Sequence, residues 1–263
     1  LRELARLEEL RIATAENAVS EKYLAIIRVA QKDSHALGAL ERIAIGQKNW
    51  ALLSQVDTKL GALVEDGFVA AAHQTRLAES LELAGDPSAL ETYRAALARD
   101  PGNIAAARGF SRLARRMNVP AVLVDAAGYA TRVLRDPEAS AELLLRSAQV
   151  RLSRQRDPVG AASDLQQALE ACPDHEESAA LIAEILAASD PGRLTDVLTH
   201  AAGRATDPAR RRTLWVTVAG LHADRRGDIG AGLGALARVL KEDPAHVPAL
   251  IKEAELYARD GRP

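Results

Sequence analysis

Several residue types on which other classes of protein depend for stability or function are scarce in this chain of 263 residues. Cys172 is the only cysteine, which excludes an intramolecular disulfide and a multi-cysteine zinc site. Aromatic residues make up 3% of the chain, which disfavours a β-sandwich or barrel core filled by large side chains. No apolar run reaches the ~18–20 residues that a membrane-spanning helix needs. The formal net charge of -2 provides no general attraction to nucleic acid or to anionic membranes.

The residues that are abundant favour helices. Alanine alone makes up about a fifth of the sequence, and leucine, arginine and glutamate supply much of the rest. These residues lose little side-chain freedom when a helix forms. The composition therefore predicts an all-α protein. Since the chain begins at Leu1 and ends within a repeat, we expect it to be a piece of a longer protein, whose compartment the sequence leaves open.

Prolines mark a repeat along the chain. Their spacings are 36, 36, 35 and 36 residues, and they are Pro101, Pro137, Pro173, Pro208 and Pro244. Each interval is broken again near its middle, which predicts two short helices per interval. An aspartate before the proline is expected to accept hydrogen bonds from the first backbone amides of the next helix. The proline itself has its φ angle preset for a first helical turn.

The intervals alternate between two kinds, so the larger unit is a pair of helical hairpins of about 71 residues. We predict a single continuous array over 1–263. Its parts are a partial module at 1–48 and full modules at 49–118, 119–189 and 190–263.

A row of glycines within GDIGAGLGALARVLKEDP (227–244) admits two interpretations. Gly230, Gly232 and Gly234 could form a phosphate-binding loop, or they could lie in a helix. A dinucleotide-binding loop follows a β-strand and matches G-x-G-x-x-G. Here the preceding residues are helical in pattern and the glycine spacing differs. The segment also aligns with 85–101 and 156–173, where Gly232 takes the place of Ala89 and Ala161. We therefore predict a helix with a close helix–helix contact and no nucleotide site.

The repeat resembles the tetratricopeptide repeat family, in degenerate units such as those of long bacterial adaptor proteins. The resemblance covers nearly the whole chain, although units of 35–36 residues exceed the family's usual ~34. Asp196 and Gly203 stand where the family has alanine. The matching residues of the best unit are Leu77, Ala78, Leu81, Ala89, Tyr93, Ala96 and Pro101. The resemblance implies a right-handed α-solenoid of antiparallel hairpins, whose first helices line a groove that binds proteins or peptides.

The family's groove positions nominate a set of charged residues. They are Arg108, Arg112, Arg115, Glu79, Glu82, Glu177 and Glu184. The arginines share one helix face by their spacing of four and three. Such a stripe is suited to an acidic peptide, because arginine pairs bidentately with carboxylates. The alternative is a solvated face in which these arginines bridge the neighbouring glutamates of the same chain.

Catalytic chemistry has no support in the motifs. No G-x-S-x-G, H-E-x-x-H or Walker loop is present, and no histidine has a second histidine or a cysteine at ligand spacing on its helix face. The cluster from Cys172 to Glu177, which contains His175, reads as an inter-repeat turn. We therefore predict no catalytic residue, no cofactor and no metal site.

These observations predict a non-catalytic protein-interaction scaffold within a larger bacterial assembly, for instance in the cell envelope, in motility or in secretion. Two alternatives stay open. The chain could be a regulatory or targeting segment of a multidomain enzyme such as a bacterial kinase, or an array that assembles with other copies through its ends, Leu1 and Pro263.

Overall fold

The computed structural model of the chain describes residues 16–63 and 66–261. Within these ranges it contains fourteen α-helices and no strand, which confirms the all-α prediction. The predicted self-association through Leu1 and Pro263 lies outside the described residues, as does the beginning of the partial module. None of the described helices combines the length and apolarity needed to cross a lipid bilayer.

The chain divides into two compact units, 1–133 and 134–263. In the first unit the helices are α1 (Glu16–Val29), α2 (Ser34–Gly46), α3 (Trp50–Leu63), α4 (Gly67–Ala84), α5 (Ala89–Arg99), α6 (Ile104–Met117) and α7 (Pro120–Val133). In the second they are α8 (Pro137–Val150), α9 (Pro158–Ala171), α10 (Glu176–Ser189), α11 (Pro191–Arg204), α12 (Pro208–Arg225), α13 (Ile229–Glu242) and α14 (Val247–Arg259). A π-helical turn, Arg151–Gln155, continues α8.

Even-numbered helices are the first helices of the hairpins and odd-numbered helices are the second. Within each unit every helix packs against its successor, and the connecting turns are short, which makes the pairs antiparallel. Helices of the same kind also touch, as α4 touches α6 in the first unit and α9 touches α11 in the second. Each unit is thus a stack of helical hairpins. The single continuous array over 1–263 stays a prediction.

The predicted Asp-Pro cap forms at four helix starts and not at every marker. Asp136, Asp157, Asp190 and Asp207 each accept a backbone N–H from the helix that begins with the following proline. At Pro101, Pro173 and Pro244 the proline instead begins the turn between two helices. The cap there is supplied two residues later, by Asn103, His175 and His246 respectively. The residue before each of these prolines is the C-cap of the preceding helix, so the next helix begins only after the turn.

Small side chains form a large part of the buried core of the described residues. Ala96, Ala168 and Val239 occupy equivalent places in α5, α9 and α13, and all three are fully buried. Among the described residues the fully buried aromatic side chains are Tyr23, Tyr93 and Phe110, and the other large side chains that are fully buried are mostly leucines. Helices that meet through alanine approach closely, so many small contacts replace the few large ones of an aromatic-rich core.

Candidate functional site

The predicted groove residues all lie on first helices. Glu79 and Glu82 lie on α4, the three arginines lie on α6, and Glu177 and Glu184 lie on α10. The first five therefore belong to the first unit and the last two to the second. Glu79, Glu177, Glu184 and the arginines are exposed, whereas the Glu82 side chain is only 7% exposed.

Glu82 is the centre of an ionic network between α4, α5 and α6. Arg112 donates to it through two nitrogens, Nε to Oε1 at 2.8 Å and Nη2 to Oε2 at 2.6 Å. Arg116 Nη2 donates to Oε1 at 2.8 Å, and the Tyr93 hydroxyl donates to Oε2 at 3.1 Å. The Arg112 hydrogen bonds hold the pKa of Glu82 below its ordinary value. Glu82 and Arg112 therefore form the intramolecular bridge that the sequence left open as an alternative.

The three arginines of α6 are consequently not equivalent. Arg112 is engaged with Glu82, while among the described residues Arg115 makes one weak bond, from Nε to the Ser111 carbonyl at 3.3 Å. Arg108 has no hydrogen-bond or ion-pair partner within 16–63 and 66–261. Arg115 follows Arg108 by seven positions, which places the two about 10 Å apart along one helix face. Two of the three arginines thus form no ion pair with any carboxylate of the described residues.

Tyr93 reaches Glu82 because α6 carries a glycine beneath the ring. A Cβ atom placed on Gly109 would lie 2.3 Å from Tyr93 Cζ, so no larger residue fits without moving the ring. Burial, followed by the neighbouring Glu82 charge, raises the pKa of the Tyr93 hydroxyl, which remains a protonated donor at neutral pH. The close approach of α5 and α6 thereby brings a neutral donor to the buried carboxylate.

Sequence reasoning missed Tyr93 and Arg116 as members of this network. Arg116 follows Arg112 by one helical turn, so the same spacing argument that joined the other arginines would have included it. By sequence, Tyr93 is named only as a residue that matches the repeat pattern. Its ring is fully buried, and only its hydroxyl group enters the network.

The turn that holds Cys172 and His175 is a helix cap. His175 is buried, and its Nδ1 accepts a hydrogen bond from the Ser178 backbone N–H at 3.3 Å. Its Nε2 lies 3.9 Å from a carboxylate oxygen of Glu177. Burial raises the pKa of the Cys172 thiol, which disfavours the reactive thiolate. These contacts match the interpretation of this cluster as a turn.

The glycine row lies in a regular helix, α13. Asp228 caps that helix by accepting from Ala231 N at 2.8 Å, and the element before it is the helix α12. A Cβ on Gly232 would lie 3.0 Å from the Ala219 carbonyl oxygen and 3.0 Å from Leu256 Cδ1. The segment therefore has a helix–turn–helix setting and closely approaches two helices, α12 and α14, in place of the strand and loop that hold a dinucleotide.

The chain matches no protein-family model and no curated protein at a significant level. Among solved structures it is similar to the C-terminal part of a TPR repeat-containing protein from Cytophaga hutchinsonii, with 15% identity and a TM-score of 0.35 over 90% of this chain and 94% of that one. It is also similar to PilF of Pseudomonas aeruginosa, with 14% identity and a TM-score of 0.31 over 92% of this chain and 100% of that one. At these TM-scores the assignment to a helical-hairpin array depends on the chain's own helices and contacts.

Proposed function

We propose that this chain is a non-catalytic protein-interaction scaffold that binds an acidic peptide segment through Arg108 and Arg115 of α6. The observation that carries the proposal is the state of Arg108 and Arg115. Both are exposed on one face of a first helix, and neither is paired with a carboxylate within the described part of the chain. The resemblance to long bacterial adaptor arrays supports a place for the chain within a larger bacterial assembly.

The different contacts of the three arginines support this binding mode. A carboxylate that approaches Arg112 must compete with Glu82, which already occupies two of its donors. A carboxylate that approaches Arg108 or Arg115 displaces water and, at Arg115, one weak bond to Ser111. Guanidinium groups pair with carboxylates through two parallel bonds, so each of these arginines can hold one acidic side chain of a partner.

The experiment compares two double variants with the same change of charge. Arg108→Glu with Arg115→Glu removes the proposed contacts, and Lys59→Glu with Arg99→Glu makes an equal change on the exposed surfaces of the second helices α3 and α5. The probe is a library of immobilised peptides rich in Asp and Glu, with the same peptides carrying Asn and Gln as a reference. We expect the α6 variant to bind the selected acidic peptides more than about tenfold more weakly than wild type, which corresponds to about 1.4 kcal/mol.

Salt provides an independent measurement. The affinity of wild type for the acidic peptides should fall between low and physiological ionic strength, because exposed charges are screened over ~8–10 Å. Equal affinities for the two double variants, or an equal preference for the amide-containing peptides, would contradict the proposal.

A further inference from the structure

A carboxyl group that accepts no hydrogen bond from an N–H or hydroxyl donor lies in the core of the first unit. Asp57 on α3 is 1% exposed, and neither of its oxygens accepts a bond from a backbone, amide, hydroxyl or guanidinium donor. The Glu41 carboxyl group lies close enough to share a proton with it. Burial, reinforced by the nearby Glu41 charge, raises the pKa of Asp57 to about 7. A buried carboxylate is tolerated when a proton or a cation neutralises it. The groups around Asp57 therefore indicate whether a proton or a cation neutralises its carboxylate.

Two more potential ligands converge on Asp57 from the helices on either side. Glu41 comes from α2 and His73 from α4, and one ligand atom from each of the three residues lies within 4.8 Å of the others. The His73 Nδ1 and Asp57 Oδ1 atoms are 4.0 Å apart. A cation at about 2.0–2.2 Å from three such donors would hold them about 3.0–3.6 Å apart. Binding of such an ion would draw the three ligand atoms closer together by about 1 Å.

The histidine presents its lone pair to the cluster. Arg76 Nη2 lies 2.9 Å from His73 Nδ1, and a guanidinium can only donate, so Nδ1 accepts and carries no proton. Burial, together with the Arg76 charge, lowers the pKa of His73 and keeps the ring neutral, which is the form that binds metals. The same guanidinium contacts Glu41, with 2.6 Å between Nη1 and Oε1.

Arg76 thus occupies the position of a cation at two of the three ligands. Its side chain is 46% exposed, so it can turn into solvent without disturbing the core. The guanidinium does not donate a hydrogen bond to either oxygen of Asp57. Arg76 therefore leaves the most deeply buried charge of the cluster without a direct partner.

We propose that Glu41, Asp57 and His73 form a binding site for a divalent transition-metal ion such as Zn²⁺, which enters by displacing Arg76. Imidazole favours Zn²⁺, Co²⁺ and similar ions over Mg²⁺ and Ca²⁺, which prefer sites made of oxygen alone. The bound ion would join α2, α3 and α4, since each helix contributes one ligand. This site is separate from the arginines of α6 and independent of the proposed peptide binding.

The sequence contains one signal for this site. Asp57 aligns with Ala127 and Leu198 in the corresponding helices α7 and α11, and both of those residues are buried. A carboxylate at a position that elsewhere holds an apolar side chain is unusual in a repeat. The histidine spacing predicted no metal site. That prediction considered only ligands on one helix face, and it did not consider ligands supplied by three different helices.

The test is titration of the chelator-treated full chain with Zn²⁺, measured by calorimetry and by thermal melting, with Mg²⁺ as the reference ion. We expect one equivalent of Zn²⁺ to bind and to raise the melting temperature, because the ion binds the folded state. Co²⁺ should give the visible absorption of a low-coordinate site. Asp57→Asn removes the charge at almost constant size and should abolish saturable binding, as should His73→Gln, which is the deciding variant if Asp57→Asn fails to fold.

Two further variants test whether the site is specific and whether Arg76 competes with the ion. His200→Gln changes an exposed histidine in the second unit and should leave the Zn²⁺ affinity unchanged. Arg76→Ala removes the competing guanidinium and should tighten binding. If wild type binds no Zn²⁺, the cluster is a proton-sharing pair of carboxyl groups only. If Zn²⁺ binds equally well after Asp57→Asn, the ion is held at another place in the chain. Either result overturns the proposal. An affinity unchanged by Arg76→Ala would contradict entry by displacement of Arg76.

Discussion

At the scale of single residues, the absence of a side chain at Gly109 determines how α5 and α6 meet. The Tyr93 ring fills the space that a Cβ would need, at 2.3 Å from Cζ. Gly109→Ala should therefore lower the free energy of unfolding by about 1–3 kcal/mol, since added bulk in a packed core forces neighbours to move.

The matched control for this substitution is Gly128→Ala, in the helix α7 of the same unit. A Cβ on Gly128 would meet no atom within 4 Å. There the substitution should raise stability by about 0.5–1 kcal/mol, because alanine loses less backbone entropy than glycine on forming a helix. Urea denaturation of the two variants measures both effects, and a loss of equal size at both positions would refute the steric explanation.

Glu82 makes stability dependent on pH in the acidic range. Its pKa is lowered in the folded protein, chiefly by Arg112, from an ordinary value of 4.5. A lowered pKa means that the stabilisation is fully present above the unfolded-state pKa and is lost as the pH falls through the folded-state pKa. Wild type should therefore lose this contribution on acidification from about pH 4.5 downward.

Glu82→Gln tests this contribution. The variant should be less stable than wild type at pH 7, because Arg112 and Arg116 lose their anionic partner, and the difference should shrink as the pH falls below 4.5. Glu79→Gln, on the exposed surface of the same helix, should keep the pH profile of wild type. The measurement is the urea midpoint at several pH values. A constant difference between wild type and Glu82→Gln at all of them would contradict the assignment.

At the scale of the helix, the repeat pattern predicts which alanines lie where neighbouring helices touch. Ala96 and Ala168 are fully buried in α5 and α9, whereas Ala98 on α5 is exposed. Ala96→Leu and Ala168→Leu should each cost about 1–3 kcal/mol by overpacking the contact. Ala98→Leu should change stability by less than about 0.5 kcal/mol, as surface substitutions usually do. Equal urea midpoints for the three variants would show that the assigned repeat phase is wrong.

At the scale of the whole molecule, the chain carries one tryptophan in each compact unit. Trp50 begins α3 in the first unit, and Trp215 lies in α12 of the second. Single-tryptophan variants, made by Trp50→Phe or Trp215→Phe, therefore report on one unit at a time. In a stack of repeats each hairpin contacts its neighbours alone, so a local substitution should act within its own unit.

The two tryptophan signals show whether the chain unfolds as two cooperative units or as one. Ala168→Leu lies in the second unit and should lower the urea midpoint reported by Trp215 while leaving the midpoint reported by Trp50 unchanged. The predicted single continuous array has a different consequence if it unfolds as one cooperative body. Both midpoints would then fall together, and the same measurement would decide in favour of the single array.

The local features of this protein follow from its sequence alone. Helix formers, aspartate caps and the proline spacing are read from residues close together in the chain, and they place the helices, the turns and the small residues such as Ala96 and Ala168. These signals suffice because helix formation and capping depend on neighbours within a few positions. The same reasoning separated the glycine row of α13 from a nucleotide-binding loop.

Tertiary structure alone decided which charged residues meet. Glu82 and Arg112 are 30 residues apart, and Arg112 belongs to the ionic network only because α4 and α6 pack side by side. Asp57 meets Glu41 and His73 because three successive helices converge on one buried point. Periodicity assigns each of these residues to a helix face, but a face in a stack of hairpins borders several helices. The partner of a long side chain depends on the packing between those helices, which local spacing does not encode.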